Sequence, residues 1–149
     1  MTSGRETLAG VYTCVTEEET LALGRQIAST LLPGAIVCIK GELGAGKTVL
    51  CRGIAAGLGV EPNDVRSPTF SIVHEYRGRV ETLHLDCYRL EKTEEALQIG
   101  WEDYLARDAV MLIEWPERIT ELLPAGCLEI RMETVSDGRR ITVMKAEKS

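Results

Sequence analysis

Two apolar runs of strand length organise this chain, Ala35–Ile39 (AIVCI) and Ala109–Ile113 (AVMLI). Neither alternates with polar residues, which is the mark of a strand covered on both faces within a parallel sheet. The first leads into a glycine-rich turn and then a helical stretch from Lys47 to Leu58, which Gly59 ends. Strand, glycine turn and helix together open an α/β unit. The second run passes straight into Glu114-Trp115-Pro116.

Around these runs the periodicity changes. A short strand is predicted over Val11–Val15, and Thr16-Glu17-Glu18-Glu19 then reads as a capping box, with Thr16 at the N-cap and Glu19 reaching back. Leu21, Ile27, Ala28, Leu31 and Leu32 follow near helical spacing, and Leu32-Pro33-Gly34 stops that helix. Phe70–Tyr76 and Val80–Tyr88 are β-rich segments on either side of Gly78, the pattern of a hairpin. Glu94–Ala106 is helical in character. Cys127–Thr134 and Arg140–Met144 alternate as strands do, joined by Ser136-Asp137-Gly138. No repeat, low-complexity tract or linker divides the chain. The elements predict one α/β domain over residues 1–149, with a mixed sheet, helices on both faces and antiparallel strands at one edge.

Composition narrows the function classes. A length of 149 residues suits a single domain, and 44% hydrophobic with 27% charged residues is ordinary for a globular protein. The net charge of −6 argues against an autonomous grip on a nucleic-acid backbone, which needs a basic face. Cys14, Cys38, Cys51, Cys87 and Cys127 are odd in number, widely spaced and form no CxxC. That excludes a zinc ribbon or thioredoxin motif, argues against a disulfide framework, and leaves small buried residues in a reducing compartment. The N-terminal residues hold no apolar signal core, and no apolar run approaches the ~20 residues that cross a bilayer. The expected location is the cytoplasm, with no membrane contact.

The chemistry is concentrated in the glycine turn. Gly41-Glu42-Leu43-Gly44-Ala45-Gly46-Lys47-Thr48 fits G-x-x-x-x-G-K-[ST], the phosphate-binding loop, and Val49 follows directly. Glycines let consecutive backbone N–H groups turn onto phosphate oxygens, and the dipole of the following helix adds to the anion site. In such a loop the lysine, here Lys47, supplies a point charge to the β- and γ-phosphates, and the hydroxyl of Thr48 is a magnesium ligand. The motif sits after a buried-type strand and opens a helix, so the fold class is that of a three-layer P-loop NTPase. No Asn/Thr-Lys-x-Asp element for guanine occurs, which favours ATP.

Such a site also needs a carboxylate at the tip of a neighbouring strand to hold Mg²⁺, directly or through water. Asp86 ends Thr82-Leu83-His84-Leu85, and Glu114 ends Val110–Ile113. Burying either without a partner would cost several kcal/mol, so a role at the nucleotide competes with a salt bridge to Arg89 or Arg118. The pattern does not decide which acid binds metal, although the strand of Glu114 resembles a Walker-B strand better. Thr69, in Ser67-Pro68-Thr69-Phe70, lies in a polar connection where it could sense a γ-phosphate or simply accompany a turn. His74 and His84 read as sheet residues. Arg89 has two readings, a phosphate contact or an ion pair with Asp86. Trp101 reads as a packing residue, and Trp115 as a wall of the nucleotide site or a partner anchor.

In chain order the segments GELGAGKT, SPTF, HLDCYRL, IGWEDYL and IEWPER resemble the TsaE family of bacterial ATPases over essentially the whole chain. The resemblance implies an ATPase that supports N6-threonylcarbamoyladenosine formation at position 37 of tRNAs reading ANN codons. It further implies a TsaD–TsaB heterodimer as the partner, with tRNA met only indirectly and the group transfer done elsewhere. Oligomeric state is not legible; a monomer is expected for the chain alone. Carried over residue by residue, Lys47 and Thr48 match the loop's phosphate and magnesium residues. Asp86 matches the acid of the H-x-D-x-Y-R element, Glu114 the acid of E-W-P, and Thr69 the switch threonine. Val15 to Glu17 and Gly138-Arg139 match segments near the base. Two other uses of the loop compete: a small-molecule or nucleotide kinase, which would need an arginine-rich lid, and a non-hydrolytic module switched by nucleotide.

Overall fold

The structure is a computed structural model and describes residues 9–42, 44–61 and 73–145. Leu43, Thr69 and the beginning of the predicted Phe70–Tyr76 segment lie outside the described residues. The elements run β1 (Gly10–Cys14), α1 (Glu17–Ala28), β2 (Ile36–Gly41), α2 (Lys47–Gly57), β3 (Val73–Tyr76), β4 (Thr82–Asp86), α3 (Thr93–Gln98), α4 (Trp101–Leu105) and β5 (Val110–Glu114). A kinked 3-10 segment (Pro116–Leu122), β6 (Leu128–Val135) and β7 (Gly138–Lys145) complete the order.

All seven strands form one sheet in the order β1-β7-β6-β2-β5-β4-β3. Its centre is parallel, with β2 pairing β6 and β5, and β5 pairing β4. Antiparallel pairs stand at both edges, β6-β7-β1 on one side and β4-β3 on the other, where the sequence led us to expect them at one. The sheet order explains the difference, because the parallel strands β2 and β5 stand between the two hairpins and put one at each edge. The Val135↔Gly138 pairing leaves only Ser136-Asp137 to reverse the chain, and a turn that short can join only antiparallel strands.

Side-chain alternation makes the three layers. On β2, Val37 and Ile39 enter one buried cluster with Leu23, Ile27, Leu50 and Ile54 of α1 and α2. Ile36 and Cys38 enter the other, with Ala96, Trp101 and Ile119. On β5, Val110 and Leu112 divide from Met111 and Ile113 in the same way. The continuous apolar runs are therefore strands wetted on neither face, as their composition demands.

Helix α1 and helix α2 pack backbone to backbone. A Cβ on Gly24 would lie 2.7 Å from the Ile54 nitrogen, and one on Gly53 would lie 2.5 Å from the Leu21 oxygen. The Thr16 capping box forms as predicted, with Glu19 N–H donating to the Thr16 hydroxyl at 3.1 Å. Helix α1 ends earlier than its apolar stripe suggests. The hydroxyls of Ser29 and Thr30 bond the carbonyls of Gln26 and Ile27 at 2.6 and 2.7 Å, which ends the ladder before Pro33 and leaves Leu32 46% exposed. The single predicted helix over 94–106 is two, because Gly100 takes φ +103 between α3 and α4.

Candidate functional site

The carboxyl ends of the parallel strands meet at one edge of the sheet, where ligands bind in open α/β folds. Strand β2 delivers the Gly41–Thr48 loop there, β5 delivers Glu114 and β4 delivers Asp86. In the register Glu114 stands between Ile39 and Asp86. A cavity of about 370 Å³ opens at this point, lined among others by Gly44, Lys47, Thr48, Asp86, Glu114 and Arg139.

Within the loop Gly44 and Gly46 take φ +82 and +95, a backbone region that residues with a Cβ seldom enter. Gly46 is the N-cap of α2, so the first turn of that helix aims its free N–H groups at the cavity. Lys47 is buried at 6% exposure and is the first residue of α2. Its ammonium donates to the Gly41 carbonyl and, at 3.2 Å, to the Glu42 carbonyl. It also lies 4.2 Å from the centre of the Trp115 ring. Burial holds its pKa below the ordinary lysine value, opposed by the negative charges of Glu114, Asp86 and Glu117. A partly desolvated cation on a ring of loop carbonyls and helix N–H groups suits the chemistry of a polyphosphate.

The two strand-tip acids differ. Asp86 is half-buried and accepts the Tyr88 N–H at 3.0 Å. Burial raises its pKa above the ordinary carboxylate value, with the Tyr88 bond opposing and the Glu114 charge adding to the rise. Glu114 is buried at 4% exposure. Its Oε2 receives His84 Nε2 at 2.7 Å and lies 3.9 Å from Cys51 Sγ. Neither acid forms an ion pair with Arg89 or Arg118 among the described residues. Arg118 instead reaches the Leu90 carbonyl at 3.5 Å. Burial, followed by the nearby Glu114 charge, pushes the Cys51 thiol up, so it stays protonated. The donor atoms of Cys51, His84 and Glu114 all lie within 4.8 Å of one another. They meet through hydrogen bonds: the 2.7 Å separation of His84 and Glu114 is shorter than the ~3.3 Å between two ligands of a tetrahedral ion held at ~2.0–2.1 Å.

Arg139 comes from the far end of the chain. Strand β7 places its guanidinium on the loop, with Nε donating to the Ala45 carbonyl at 3.0 Å and a terminal nitrogen to the Gly44 carbonyl at 3.3 Å. Beside it a smaller cavity of about 120 Å³ is lined by Val15, Glu17, Gly46, Val49 and Gly138 among others. The segments that the family resemblance put near the base therefore converge beside the loop. Trp115 walls the larger cavity. It carries φ +58 and ψ +51, and its ring packs against Tyr88 at a tilt of 52° with centroids 4.8 Å apart. A further cavity of about 360 Å³ at the opposite end of β2, near Gly34 and Leu128, has Lys145 as its one charged lining residue among the described residues.

The structure thus brings together Lys47, Thr48, Asp86, Glu114, Glu17 and Arg139 at one cavity, with Val15 beside it. Thr69 lies outside the described residues. Sequence reasoning treated His84 as a sheet residue and missed its bond to Glu114. The one signal available was the shared strand face of His84 and Asp86.

Residues 14–142 match the family described as threonylcarbamoyl adenosine biosynthesis protein TsaE. The chain is 39% identical over 127 residues to the tRNA threonylcarbamoyladenosine biosynthesis protein TsaE of Bacillus subtilis (strain 168), covering 85% of this chain and 78% of that one. It is 36% identical over 127 residues to the protein of the same description from Treponema pallidum (strain Nichols), covering 85% and 93%. The crystal structure of Bacillus subtilis YdiB superposes with a TM-score of 0.75 at 31% identity, covering 95% of this chain and 87% of that one. That likeness supports a P-loop NTPase-like fold, the three-layer architecture expected from the motif.

Proposed function

The chain belongs to the TsaE family, whose work is tRNA threonylcarbamoyladenosine biosynthesis, and on that premise we propose that it is an ATPase supporting this modification. The observation that carries the reading is the placement of buried Lys47 opposite Asp86 and Glu114, all lining one cavity beneath the glycine loop. ATP is the substrate. Backbone N–H groups of residues 46–48 and the Lys47 ammonium bind its β- and γ-phosphates, while Val15, Glu17, Val49 and Arg139 flank the remainder of the nucleotide.

The donor set suits a hard divalent cation: a hydroxyl on Thr48 and two carboxylates whose charges the single ammonium of Lys47 leaves in excess. Mg²⁺ would be held by Thr48 with Asp86 and Glu114, and it supplies neutralisation of charge on the phosphate oxygens. Lys47 takes up negative charge developing on the γ-phosphoryl group, and Glu114, as the more buried acid, orients the attacking water. Thr69 is assigned the sensing of the γ-phosphate. The products are ADP and phosphate.

No arginine-rich lid covers the cavity among the described residues, which favours water over a bulky acceptor and predicts slow hydrolysis by the chain alone. Turnover is set by a TsaD–TsaB heterodimer in the cytoplasm. With a net charge of −6 the chain meets tRNA only through those partners, and it does not itself transfer the threonylcarbamoyl group.

The test is Lys47→Ala, assayed for phosphate release and for tRNA modification with the TsaD–TsaB pair. Both are expected to be lost. Undiminished modification would sink the reading, and phosphate passed to an acceptor would replace it with a kinase. Modification that persists while hydrolysis is lost would make the chain a nucleotide-switched module.

A further inference from the structure

Behind Glu114 runs a buried chain of polar groups that the proposed hydrolysis does not by itself require. His84 is fully buried on β4 and Tyr76 on β3 is 4% exposed. The Tyr76 hydroxyl lies 3.3 Å from His84 Nδ1, and His84 Nε2 lies 2.7 Å from Glu114 Oε2. The two rings are tilted by 51° with centroids 6.1 Å apart. Nε2 of the ring is thus the edge turned to the Glu114 carboxylate, and Nδ1 the edge turned to the Tyr76 hydroxyl, which can donate or accept.

We infer that His84 is a positioning residue, which locks the carboxylate of Glu114 by occupying Oε2 and so leaves Oε1 for the cavity. The inference rests on the ATPase reading above. Both contacts to Glu114, from His84 and from Cys51, fall on the same oxygen. A glutamate has three rotatable side-chain bonds, and a group that orients water works only when held within ~0.5 Å of its productive position. The neighbouring strand supplies that restraint. In the register His84 faces Leu112, two residues before Glu114 on the same side of β5, so the ring needs only to lean along the sheet to reach the acid. Tyr76 holds the far edge of the ring at Nδ1, as outer partners fix the orientation of metal-ligating histidines. A histidine satisfied only for packing would show the same burial, but its replacement would not separate turnover from nucleotide affinity.

Two polar replacements of His84 make the separation. The amide of Gln reaches the position of Nε2, whereas that of Asn reaches only that of Nδ1, toward Tyr76. The full chain would be assayed with Mg²⁺, ATP and the TsaD–TsaB pair, and affinity read with mant-ATP. His84→Gln is expected to keep kcat within about threefold, and His84→Asn to lose about 10–100-fold, as outer-shell losses do. Both should bind mant-ATP within about twofold of the parent, since the loop is untouched. Equal activity of the Gln and Asn variants would overturn the assignment, as would a loss of affinity in step with kcat. Should the Asn variant fail to fold, Tyr76→Phe takes its place. That variant is expected to lose about two- to fivefold in kcat at constant affinity, the scale of one hydrogen bond, and an unchanged kcat would overturn the inference. A parent chain that binds no mant-ATP overturns the nucleotide reading and this assignment with it. A parent that binds and hydrolyses, with Gln and Asn alike, overturns the assignment alone.

Discussion

The ammonium of Lys47 lies 4.2 Å from the centre of the Trp115 ring. A buried cation is thus shared between an aromatic face and two loop carbonyls, Gly41 and Glu42. Phosphate oxygens carry charge and compete better for it than neutral carbonyls do. Nucleotide should therefore draw Lys47 away from the ring. Trp115 emission is expected to change on titration with ATP and Mg²⁺, and Trp115→Phe to abolish the change. The chain's other tryptophan, Trp101, is 2% exposed in the far core and supplies a constant background. An equal response in the Phe variant would refute the link.

Asp86 gives a pH dependence with a defined sign. Its folded pKa is raised above 3.8 by burial, so over the window just above that value the folded chain binds more protons than the unfolded one. Stability therefore falls as pH rises through the window and stays lower above it. Asp86→Asn keeps the acceptor for the Tyr88 N–H and removes the charge. Without nucleotide or Mg²⁺, its melting temperature is expected to exceed the parent's by about 1–3 °C at pH 7, an effect below ~1 kcal/mol. The gain should shrink toward pH 4. A variant less stable than the parent at pH 7 contradicts this.

Arg139 holds the glycine loop through the Gly44 and Ala45 carbonyls. Arg139→Ala should leave the fold intact and weaken mant-ATP binding by about tenfold, the equivalent of ~1.4 kcal/mol. Arg139→Lys should recover only part of it, since a point charge cannot span two carbonyls. Isothermal titration of the three chains decides, and unchanged affinity in the Ala variant would show that the loop needs no such tie.

The contact of α1 with α2 predicts a stability effect remote from the site. A Cβ at Gly53 meets the Leu21 oxygen at 2.5 Å, so backbones must part. Gly53→Ala is expected to cost about 1–3 kcal/mol despite alanine's better helix propensity, lowering the melting temperature by several degrees. A higher melting temperature would mean that propensity outweighs the close approach.

What the sequence disclosed was what contiguous residues encode. The loop is eight neighbouring residues with four positions of fixed type, and AIVCI and AVMLI carry the length and composition of strands covered on both faces. Asp86 and Glu114 were legible as acids at strand tips, where carboxylates are rarely idle. Their adjacency was not, because it depends on which strands pair and in what register, and no local pattern states that. His84 shows the difference. Its type and period are those of any strand residue, and its bond to Glu114 exists only once β4 lies beside β5. The early end of α1 turned on two hydroxyls, Ser29 and Thr30, competing for carbonyls that the apolar stripe ignores. Arg139 entered by resemblance alone, since nothing near it in sequence hints at a contact with Gly44.

That contact joins residues 95 apart in the chain. During synthesis the glycine loop emerges early, while β7, which both holds Arg139 and pairs with β1, emerges among the last elements. A nascent chain can contain the whole eight-residue motif and still lack the tie that fixes its shape. On the proposed reading, competence for nucleotide arrives only once β7 has paired with β1 and brought Arg139 to the loop.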